Sequence, residues 1–540
     1  MPRRPAIGSA SRSSKPYLRR RTLELASPTT RSFSDPLGAW AERRIRLEGR
    51  PFSFRGHGYL RAIFDDTSPH VVLSKAAQIG GTTWAILRAI HACLTGLNVI
   101  YFFPTRTDVL EFSKSRVAPL LAENPFLWRL LRDTDTAGLK RIGDAHLYLR
   151  GMQSTVGMKS VPADLVIFDE LDEAEPAAKA MAKERLAHSD YKRLIELSNP
   201  SIPDYGIDEI YQRSDQRHWT LRCPSCGTWS ALEKLFPQKL GQDVPILRVR
   251  ADGTVYRACP NCQSELDPEQ GEWVADFPSS SIHGYRISQL FSTKVNPKEI
   301  LDEYRTTRYP ERFYNLKIGI PWTDLGRKVD AATVLALCGS HPLADAMPGG
   351  YCSMGVDTGR ELHVVILHDS DGDGHARETK RLVFCGAMES FEQLDELMRR
   401  FNVARCVVDG LPETHATREF IARHRYHAWM CFFNEHQRGA PKFDYVTHMV
   451  TINRTEAIDA SRAAVRDARL VLPRRMPLLE EFARHVACDA KVLDEDEETG
   501  IKKYRYIRTG PNHYSMALTY AWMGITHRRY RTRWGGQRPC

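Results

Sequence analysis

Residues 164–170 read Asp-Leu-Val-Ile-Phe-Asp-Glu, an apolar run followed directly by two carboxylates, Asp169 and Glu170. A run of this kind fits a strand that is buried on both faces of a parallel sheet. At the carboxyl end of such a strand, where α/β sheets bind ligands, two adjacent acids are costly unless a cation or a substrate lies nearby. The simpler alternative is a strand that ends in a solvated acidic turn.

A second strand-turn-helix pattern lies upstream. His70–Ser74 predicts a strand, residues 75–83 read Lys-Ala-Ala-Gln-Ile-Gly-Gly-Thr-Thr, and an apolar helix follows from Trp84 to about Leu94. A turn of small residues that opens a helix directs backbone N–H groups and the positive end of the helix dipole at phosphates. The strict P-loop pattern is not met, because Gly81 stands where the lysine belongs and Lys75 stands where the first glycine belongs.

Together the two patterns predict an ATPase. Asp169 would hold Mg²⁺ with the Thr82 hydroxyl, and Glu170 would orient and deprotonate the attacking water. A strand over Leu194–Leu197 ends in Ser198-Asn199, which could sense the γ-phosphate; an ordinary exit from strand to loop is the alternative. The predicted nucleotide-binding residues are Lys75, Gln78, Gly80, Gly81, Thr82, Thr83, Ser198 and Asn199.

Length and charge narrow the class of protein. A chain of 540 residues predicts two or three domains. It contains no apolar run near the roughly 18 residues of a membrane span, and its basic N-terminus lacks the apolar stretch of a secretion signal. The formal charge of +10 favours a polyanionic partner. Residues 1–45 predict a disordered basic arm and 526–540 a basic tail; either could be only a solubilising segment.

Four cysteines form two Cys-x-x-Cys pairs, Cys223/Cys226 and Cys259/Cys262. Each pair can give two thiolates to one tetrahedral Zn²⁺, and two pairs close the site, which predicts structural and not catalytic zinc. The long gap between the pairs predicts an inserted hairpin around 241–255, within a zinc-binding insertion at about 215–270. The alternative is four unrelated buried thiols.

The C-terminal half contains two further strands that end in an acid. Residues 351–357 end in Asp357 and residues 404–409 end in Asp409, with a hairpin and a helix between them. Two carboxylates on neighbouring strands could bind Mg²⁺ or Mn²⁺ and activate a water against a phosphodiester. The alternative is that both acids simply end strands at turns.

These motifs resemble the large subunit of tailed-phage terminases, specifically the lambda-type branch. The shared features are the displaced lysine, Val-Ile-Phe-Asp-Glu at 166–170, Leu-Ser-Asn-Pro at 197–200 and the downstream cysteine cluster. The resemblance implies an α/β chain: a P-loop (ASCE-type) ATPase over about 46–330 with the zinc-binding insertion, then an RNase H-like nuclease over about 345–525. It further implies ATP-driven translocation of double-stranded DNA into a capsid and metal-dependent cutting of concatemeric DNA.

The resemblance also implies partners and a place of action. These are double-stranded phage DNA, a small terminase subunit, the capsid portal and further copies of the chain, in the cytoplasm of a bacterial host. One rival is a DNA helicase or translocase without a nuclease, against which the two strands ending in Asp357 and Asp409 argue. Another is a non-enzymatic zinc-containing DNA-binding protein, which would leave Asp169 and Glu170 unexplained.

The chain departs from this family at the third nuclease acid. The resemblance places an Asp, often followed by His, at the start of a late helix, where this sequence has Asn512 and His513. The predicted nuclease metal ligands are therefore Asp357, Asp409, Asn512 and His513. Because Asn is a neutral and weaker ligand than Asp, one metal is expected to bind less tightly.

Overall fold

The computed structural model describes residues 35–152, 161–174, 179–180, 183–323, 329–347, 349–369, 379–495 and 502–527. The chain divides into two units. The first holds the described residues up to Ser198, with Arg213–Phe236 and Val244–Pro297. The second holds Asn199–Gln212, Pro237–Asp243 and the described residues from Lys298 onward. The predicted domain limits of 46–330 and 345–525 stay predictions.

The first unit is built on one mixed sheet that has eleven strands within the described residues. In chain order the strands of this unit are β1 (Arg46–Leu47), β2 (Arg50–Pro51), β3 (His70–Lys75), β4 (Val99–Phe103), β5 (Leu131–Thr136), β6 (Leu139–Ile142), β7 (Ala145–Gly151), β8 (Leu165–Phe168), β9 (Arg193–Ser198), β10 (Arg217–Arg222), β11 (Trp229–Ala231), β12 (Leu247–Val249), β13 (Val255–Arg257), β14 (Gly271–Ala275) and β15 (Ile282–Ile287). The sheet order is β11-β10-β15-β3-β9-β8-β4-β7-β6-β5, and β14 pairs with β10. Pairing is parallel from β10 to β7 and antiparallel beyond each end.

The predicted strands around the acidic pair and the phosphate turn are confirmed. Every residue of β8 is buried, as expected for a strand covered on both faces. The adjacent strand β9 and the next strand, β3, are buried over nearly their whole length, so these three central strands have their carboxyl ends at one edge of the sheet. The helices of this unit are α1 (Leu37–Arg44), α2 (Leu60–Asp65), α3 (Gly81–Leu94), α4 (Arg106–Phe112), α5 (Ala118–Glu123) and α6 (Pro125–Trp128).

The predicted disordered arm is wrong at its C-terminal end. Residues 37–44 form helix α1, whose Leu37, Trp40 and Ala41 are buried. These positions fall at i, i+3 and i+4, so they form one apolar stripe that packs into the first unit. The rest of the predicted arm, residues 1–34, and residues 528–540 of the predicted tail lie outside the described residues.

The second unit has its own eight-stranded sheet within the described residues, in the order β21-β22-β20-β19-β16-β17-β18-β23. The strands are β16 (Tyr351–Asp357), β17 (Leu362–Asp369), β18 (Lys380–Met388), β19 (Val403–Asp409), β20 (Ala428–Phe433), β21 (Lys442–Asp444), β22 (Met449–Ile452) and β23 (Leu470–Val471), with a separate ribbon of β24 (Asp489–Glu495) and β25 (Lys502–Arg508). β16, β17 and β18 form an antiparallel meander, and β19 and β20 add in parallel on the other side of β16. The helices are α7 (Ile207–Gln212), α8 (Pro297–Thr306), α9 (Pro310–Phe313), α10 (Ala331–Leu335), α11 (Phe391–Arg400), α12 (Thr414–Arg423), α13 (Arg454–Arg466), α14 (Pro477–Ala487) and α15 (His513–Thr526).

Helix α15 lies directly on the central strand β16. It is buried at every position from Tyr514 to Ile525, as expected for a helix that is apolar all round. Gly355 permits the approach, because a Cβ there would collide with the Ala517 carbonyl oxygen and the Ala521 amide nitrogen. The contact fixes the start of α15 beside the end of β16. Among the described residues no helix has both the length and the apolar character needed to cross a membrane.

Candidate functional site

The carboxyl ends of β3 and β8 carry the predicted phosphate turn and acidic pair. Lys75 is the last residue of β3, and the turn after it leads into α3 at Gly81. Gln78 and Gly80 have φ values of 58° and 86°, and Gly80 is the N-cap of the helix. The left-handed conformation at both residues reverses the chain tightly, so that the N-terminus of α3 begins beside the strand ends.

The displaced lysine occupies the space that Gly81 leaves open. A Cβ on Gly81 would lie 2.8 Å from Cδ of Lys75, so the lysine side chain runs directly over this glycine. Lys75 Nζ donates a hydrogen bond to Oε1 of Glu170 at 2.9 Å. Burial disfavours the charged amine, but the charges of Glu170 and Asp169 raise the pKa of Lys75 above its usual value. The structure thus places a buried ammonium group between the phosphate turn and the acids.

Asp169 is the buried member of the acidic pair. Its Oδ2 accepts a hydrogen bond from the Tyr101 hydroxyl at 2.8 Å, and the Thr82 hydroxyl also bonds its carboxylate. Burial raises the pKa of Asp169, and the positive charge of Lys75 only partly offsets this. A buried carboxylate and a neighbouring hydroxyl supply the oxygen ligands that Mg²⁺ prefers. The residues therefore fit the predicted magnesium site.

Glu170 faces solvent more than its neighbour does. Its side chain is 37% exposed, whereas that of Lys75 is 7% exposed, so water can reach the carboxylate from one side. The residue has φ of 50°, an uncommon conformation for a non-glycine residue. Its backbone N–H donates to Asp169 Oδ1 at 3.1 Å. This turn aims the two carboxylates differently, one into the sheet and one towards Lys75 and solvent.

The remaining predicted nucleotide-binding residues are distributed as follows. Ser198 ends β9, between β3 and β8, and its hydroxyl accepts a hydrogen bond from the backbone N–H of Asp172 at 3.2 Å. Thr83 lies in the first turn of α3, and Gln78 is exposed in the turn before it. Asn199 is the first residue of the second unit. The structure therefore gathers Ser198 with the strand-end acids, and the nucleotide roles of all these residues stay predictions.

Glu196 is a buried charge that the sequence interpretation missed. It lies fully buried in β9, with His70 Nε2 at 2.6 Å and Lys179 and Lys183 Nζ at 3.3 and 3.2 Å. Burial alone would raise the pKa of this carboxyl, but the His70 hydrogen bond and the two lysine charges lower it to about 2. A single acid inside the apolar run Leu194–Leu197 was the available signal. One histidine and two lysines hold it inside the sheet.

The four predicted zinc cysteines are gathered at two turns of the same shape. Their sulfurs all lie within 4.8 Å of one another; Cys223 Sγ is 3.5 Å from Cys262 Sγ and Cys226 Sγ is 3.7 Å from Cys259 Sγ. The residue after each pair, Gly227 or Gln263, has positive φ and donates its N–H back to the carbonyl of the first cysteine of its pair. The hairpin of β12 and β13 lies between the pairs, as predicted.

The cysteine geometry fits a tetrahedral metal. A zinc–sulfur distance of about 2.3 Å gives sulfur–sulfur edges of about 3.8 Å, close to both observed values. It does not fit disulfides, whose sulfurs lie about 2.05 Å apart. Hydrogen bonds with Thr228 lower the pKa of the exposed Cys226 thiol, which favours the thiolate that a metal requires.

In the second unit the two predicted nuclease acids end adjacent strands. β16 pairs with β19 in parallel, and Val356 lies opposite Val408, so Asp357 and Asp409 follow at the same edge of the sheet. Burial, followed by the nearby charge of Asp357, raises the pKa of Asp409 to about 6. His513, the first residue of α15, has Nδ1 2.9 Å from Oδ2 of Asp357. His363 also lies beside Asp357, and the sequence interpretation missed it.

Asn512 is anchored to a buried acid. Its Nδ2 donates to Oδ1 of Asp489 at 2.6 Å. Oδ2 of Asp489 accepts from the Ser515 hydroxyl and lies 3.4 Å from Nη2 of Arg462. The amide of Asn512 therefore serves as a donor to Asp489, and its predicted role as a metal ligand stays a prediction.

Comparison with known proteins relates the chain to phage terminases. Residues 48–276 match the family described as the ATPase domain of phage terminase large subunit gpA. The fold of the chain is similar to that of the large terminase of bacteriophage HK97, with a TM-score of 0.51 and 12% identity over 90% of this chain and 98% of that chain. Residues 48–276 therefore form an ATPase domain of the phage terminase large-subunit family. This match supports a role in phage DNA packaging.

Two further terminase structures are more distant. The ATPase domain of the large terminase of a Thermus phage gives a TM-score of 0.31 at 12% identity and covers 48% of this chain and 90% of that chain. The nuclease of the large terminase from thermophilic phage G20c with bound zinc gives 0.22 at 12% identity and covers 36% of this chain and 96% of that chain. No curated protein matches the sequence.

Replacing Asn512 with Asp is expected to destabilise the second unit by about 2 kcal/mol or more, because two buried carboxylates would face each other where an amide now donates. The new carboxyl should take a raised pKa in the folded state, so the loss should be larger at about pH 8 than at about pH 5. Urea unfolding of the full chain at both pH values measures it. The exchange variant Asn512→Asp/Asp489→Asn restores an amide–carboxylate pair and should recover much of the loss; an equal or greater loss would contradict the assignment.

Proposed function

We propose that the first unit hydrolyses ATP to drive double-stranded DNA into a capsid and that the second unit cuts concatemeric DNA. The observation that carries the ATPase mechanism is the meeting of Lys75, Thr82, Asp169 and Glu170 at the carboxyl ends of β3 and β8. Neither rival function accounts for both pairs of acids. A helicase without a nuclease leaves Asp357 and Asp409 unexplained, and a non-enzymatic DNA-binding protein leaves the strand-end acids unexplained.

The charges of the site suggest a role for each residue in hydrolysis. A bound Mg²⁺·ATP supplies a phosphorus atom polarised for attack, and Thr82 and Asp169 are the residues that would hold the ion. Lys75 neutralises phosphate charge from the strand side. Glu170 accepts the proton of the attacking water from its exposed side. Since Lys75 now pairs with Glu170, its transfer to a phosphate releases this carboxylate for that task.

The second unit supports the proposed nuclease through its topology and its acids. The order β18-β17-β16-β19-β20, with the first three strands antiparallel and the last two parallel, is the order expected of an RNase H-like sheet. Asp357 and Asp409 end its two central strands, where oxygen ligands suit Mg²⁺ or Mn²⁺. Such ions supply charge stabilisation to a phosphodiester and lower the pKa of a water. Asp357 and Asp409 are the residues that would hold these ions.

We further propose that the four cysteines bind a structural zinc ion and that the site braces an insertion in the ATPase domain. The tetrahedral sulfur spacing supports this proposal.

The proposed partners are double-stranded DNA, a small terminase subunit, the capsid portal and further copies of the chain, in the cytoplasm of the host. The charge of +10 is consistent with a DNA partner.

Glu170→Gln should lower the rate of ATP hydrolysis by about 100-fold or more, because the amide cannot accept the proton of the attacking water. ATP binding should persist, as the phosphate contacts are left in place. Steady-state phosphate release and nucleotide binding to the full chain measure the two effects. Glu173→Gln, which removes an exposed acid three residues later, is the matched control and should hydrolyse ATP normally. Undiminished hydrolysis by Glu170→Gln would rule out the proposed base.

Asp357→Asn should abolish Mn²⁺-dependent cutting of linear and supercoiled DNA, with a loss of about 100-fold or more, while ATP hydrolysis continues. Gel assays of cleavage beside phosphate release separate the two activities. Glu361→Gln removes an exposed acid from the turn between β16 and β17 and should cut normally. Cutting that survives in Asp357→Asn would show that the nuclease centre lies elsewhere.

Cys226→Ser should lower the zinc content of the purified chain well below the about one equivalent expected of the wild-type protein. Elemental analysis after dialysis against a chelator measures this, because a closed thiolate site retains its metal while open sites lose theirs. Cys338→Ser, which removes a thiol outside the cluster, should keep full zinc. Zinc retained at the wild-type level in Cys226→Ser would contradict the four-cysteine site.

A further inference from the structure

Three side chains in the second unit form a cluster whose composition differs from an all-carboxylate nuclease site. One ligand atom each from Asp357, His363 and His513 lies within 4.8 Å of the others. Two of the three donors are imidazole nitrogens. His363 has no place in the sequence motifs, and its position follows from the fold.

Three elements bring the cluster together. Asp357 is the last residue of β16, and the antiparallel register places His363 of β17 directly opposite it. His513 is the first residue of α15, which the close contact at Gly355 holds against β16. Two adjacent strands and a packed helix therefore fix the three side chains, so the cluster is pre-organised.

His363 is a buried imidazole with few polar contacts. The residue is 9% exposed, it meets the backbone of Glu361, and its Nδ1 has no hydrogen bond of good geometry among the described residues. Its ring stacks on that of His513, with centroids 4.6 Å apart and planes at 18°. A buried polar atom whose hydrogen bonding is incomplete is destabilising, unless a ligand satisfies it. Two imidazoles gathered with one carboxylate within 4.8 Å are the observation that points to a cation.

Position 512, where an acid could have supplied another carboxylate, holds an asparagine with a structural role. Asn512 donates its amide to Asp489, which is also bonded by Ser515 and lies beside Arg462. An acid at 512 would oppose this buried carboxylate. The histidines, and not an acid at the start of α15, are the further donors that this fold presents to Asp357.

We propose that Asp357, His363 and His513 form a metal site with one carboxylate and two imidazole ligands, which selects Mn²⁺, Co²⁺ or Zn²⁺ over Mg²⁺. Imidazole nitrogen binds these ions more readily than it binds Mg²⁺, with Mn²⁺ the weakest of the three, because Mg²⁺ prefers oxygen ligands and gives up its water reluctantly. The proposal deepens the nuclease function proposed above and rests on it for its biological meaning. Asp357 is then shared by two proposed metal sites: it pairs with Asp409 in one and with the two histidines in the other.

The decisive measurement is spectroscopic and needs no substitution. The full chain, with its cysteine site filled with zinc and without nucleotide, is titrated with Mn²⁺, and pulsed EPR of the bound ion is examined for ¹⁴N coupling. Imidazole coupling from directly bound nitrogen is expected, and it should persist in a large excess of Mg²⁺. Bound Mn²⁺ without nitrogen coupling, or ready displacement by Mg²⁺, would overturn the proposal. Because Asp169 is the proposed metal ligand of the ATPase, Asp169→Asn removes any Mn²⁺ bound there and should leave the nitrogen coupling in place.

Variants then identify the ligands. His363→Gln should weaken Mn²⁺ binding by at least about tenfold and remove part of the nitrogen coupling. His485→Gln is the matched control, because its ring lies 5.9 Å from that of His363 and 5.8 Å from that of His513 but outside the cluster. Equal weakening by both variants would show that the histidines act only as a packed stack, and the proposal would fail. Circular dichroism of each variant confirms that the unit is folded.

The outcomes separate this proposal from the nuclease itself. If Asp357→Asn loses DNA cutting while His363→Gln retains both Mn²⁺ affinity and cutting, the nuclease stands and the histidine site is wrong. If Asp357→Asn still cuts DNA, the proposed nuclease centre fails, whereas the EPR result still decides whether the cluster binds metal. Loss of nitrogen coupling in His363→Gln, together with cutting that depends on Mn²⁺ and not Mg²⁺, supports both.

Discussion

The cost of burying carboxylates at the ends and middles of strands governs both units. A buried charge must be paired and hydrogen-bonded, or the structure loses several kcal/mol. Asp169 meets this demand through Lys75, Thr82 and Tyr101, and Glu196 meets it through His70 and two lysines. The same demand at Asp489 commits Asn512 to a structural bond. The residues around each buried acid are therefore ones that can donate a hydrogen bond or supply positive charge to it.

Local patterns were sufficient for much of the fold and the first site. The apolar runs of β3, β8 and β9, the helix after the phosphate turn and the two cysteine turns are set by neighbours in sequence, so their periodicity and spacing predict them. The displaced Lys75 was also readable as a departure from a known spacing. The spacing could not show where the displaced side chain lies. In the structure the side chain of Lys75 occupies the space above Gly81.

The other features depend on contacts between segments that are distant in the sequence, so the sequence patterns did not predict them. His363 is placed opposite Asp357 by the register of a hairpin, and a shift of one residue would turn it to the other face of the sheet. Asp489 lies 23 residues before Asn512, so nothing near the helix start reveals that the amide is already bonded. Helix α1 was missed because its short apolar stripe follows a long basic segment. These features depend on which distant elements meet, and a single sequence does not record that.

The space shared by Lys75 and Gly81 has a consequence for substitutions in the phosphate turn. A Cβ at position 81 would lie 2.8 Å from Cδ of Lys75, so any side chain introduced there would displace the aliphatic part of the lysine. The displaced lysine would carry with it the ammonium group that bonds Glu170. A glycine at the first position of the helix is therefore needed for the charge balance of the acids as well as for the path of the backbone.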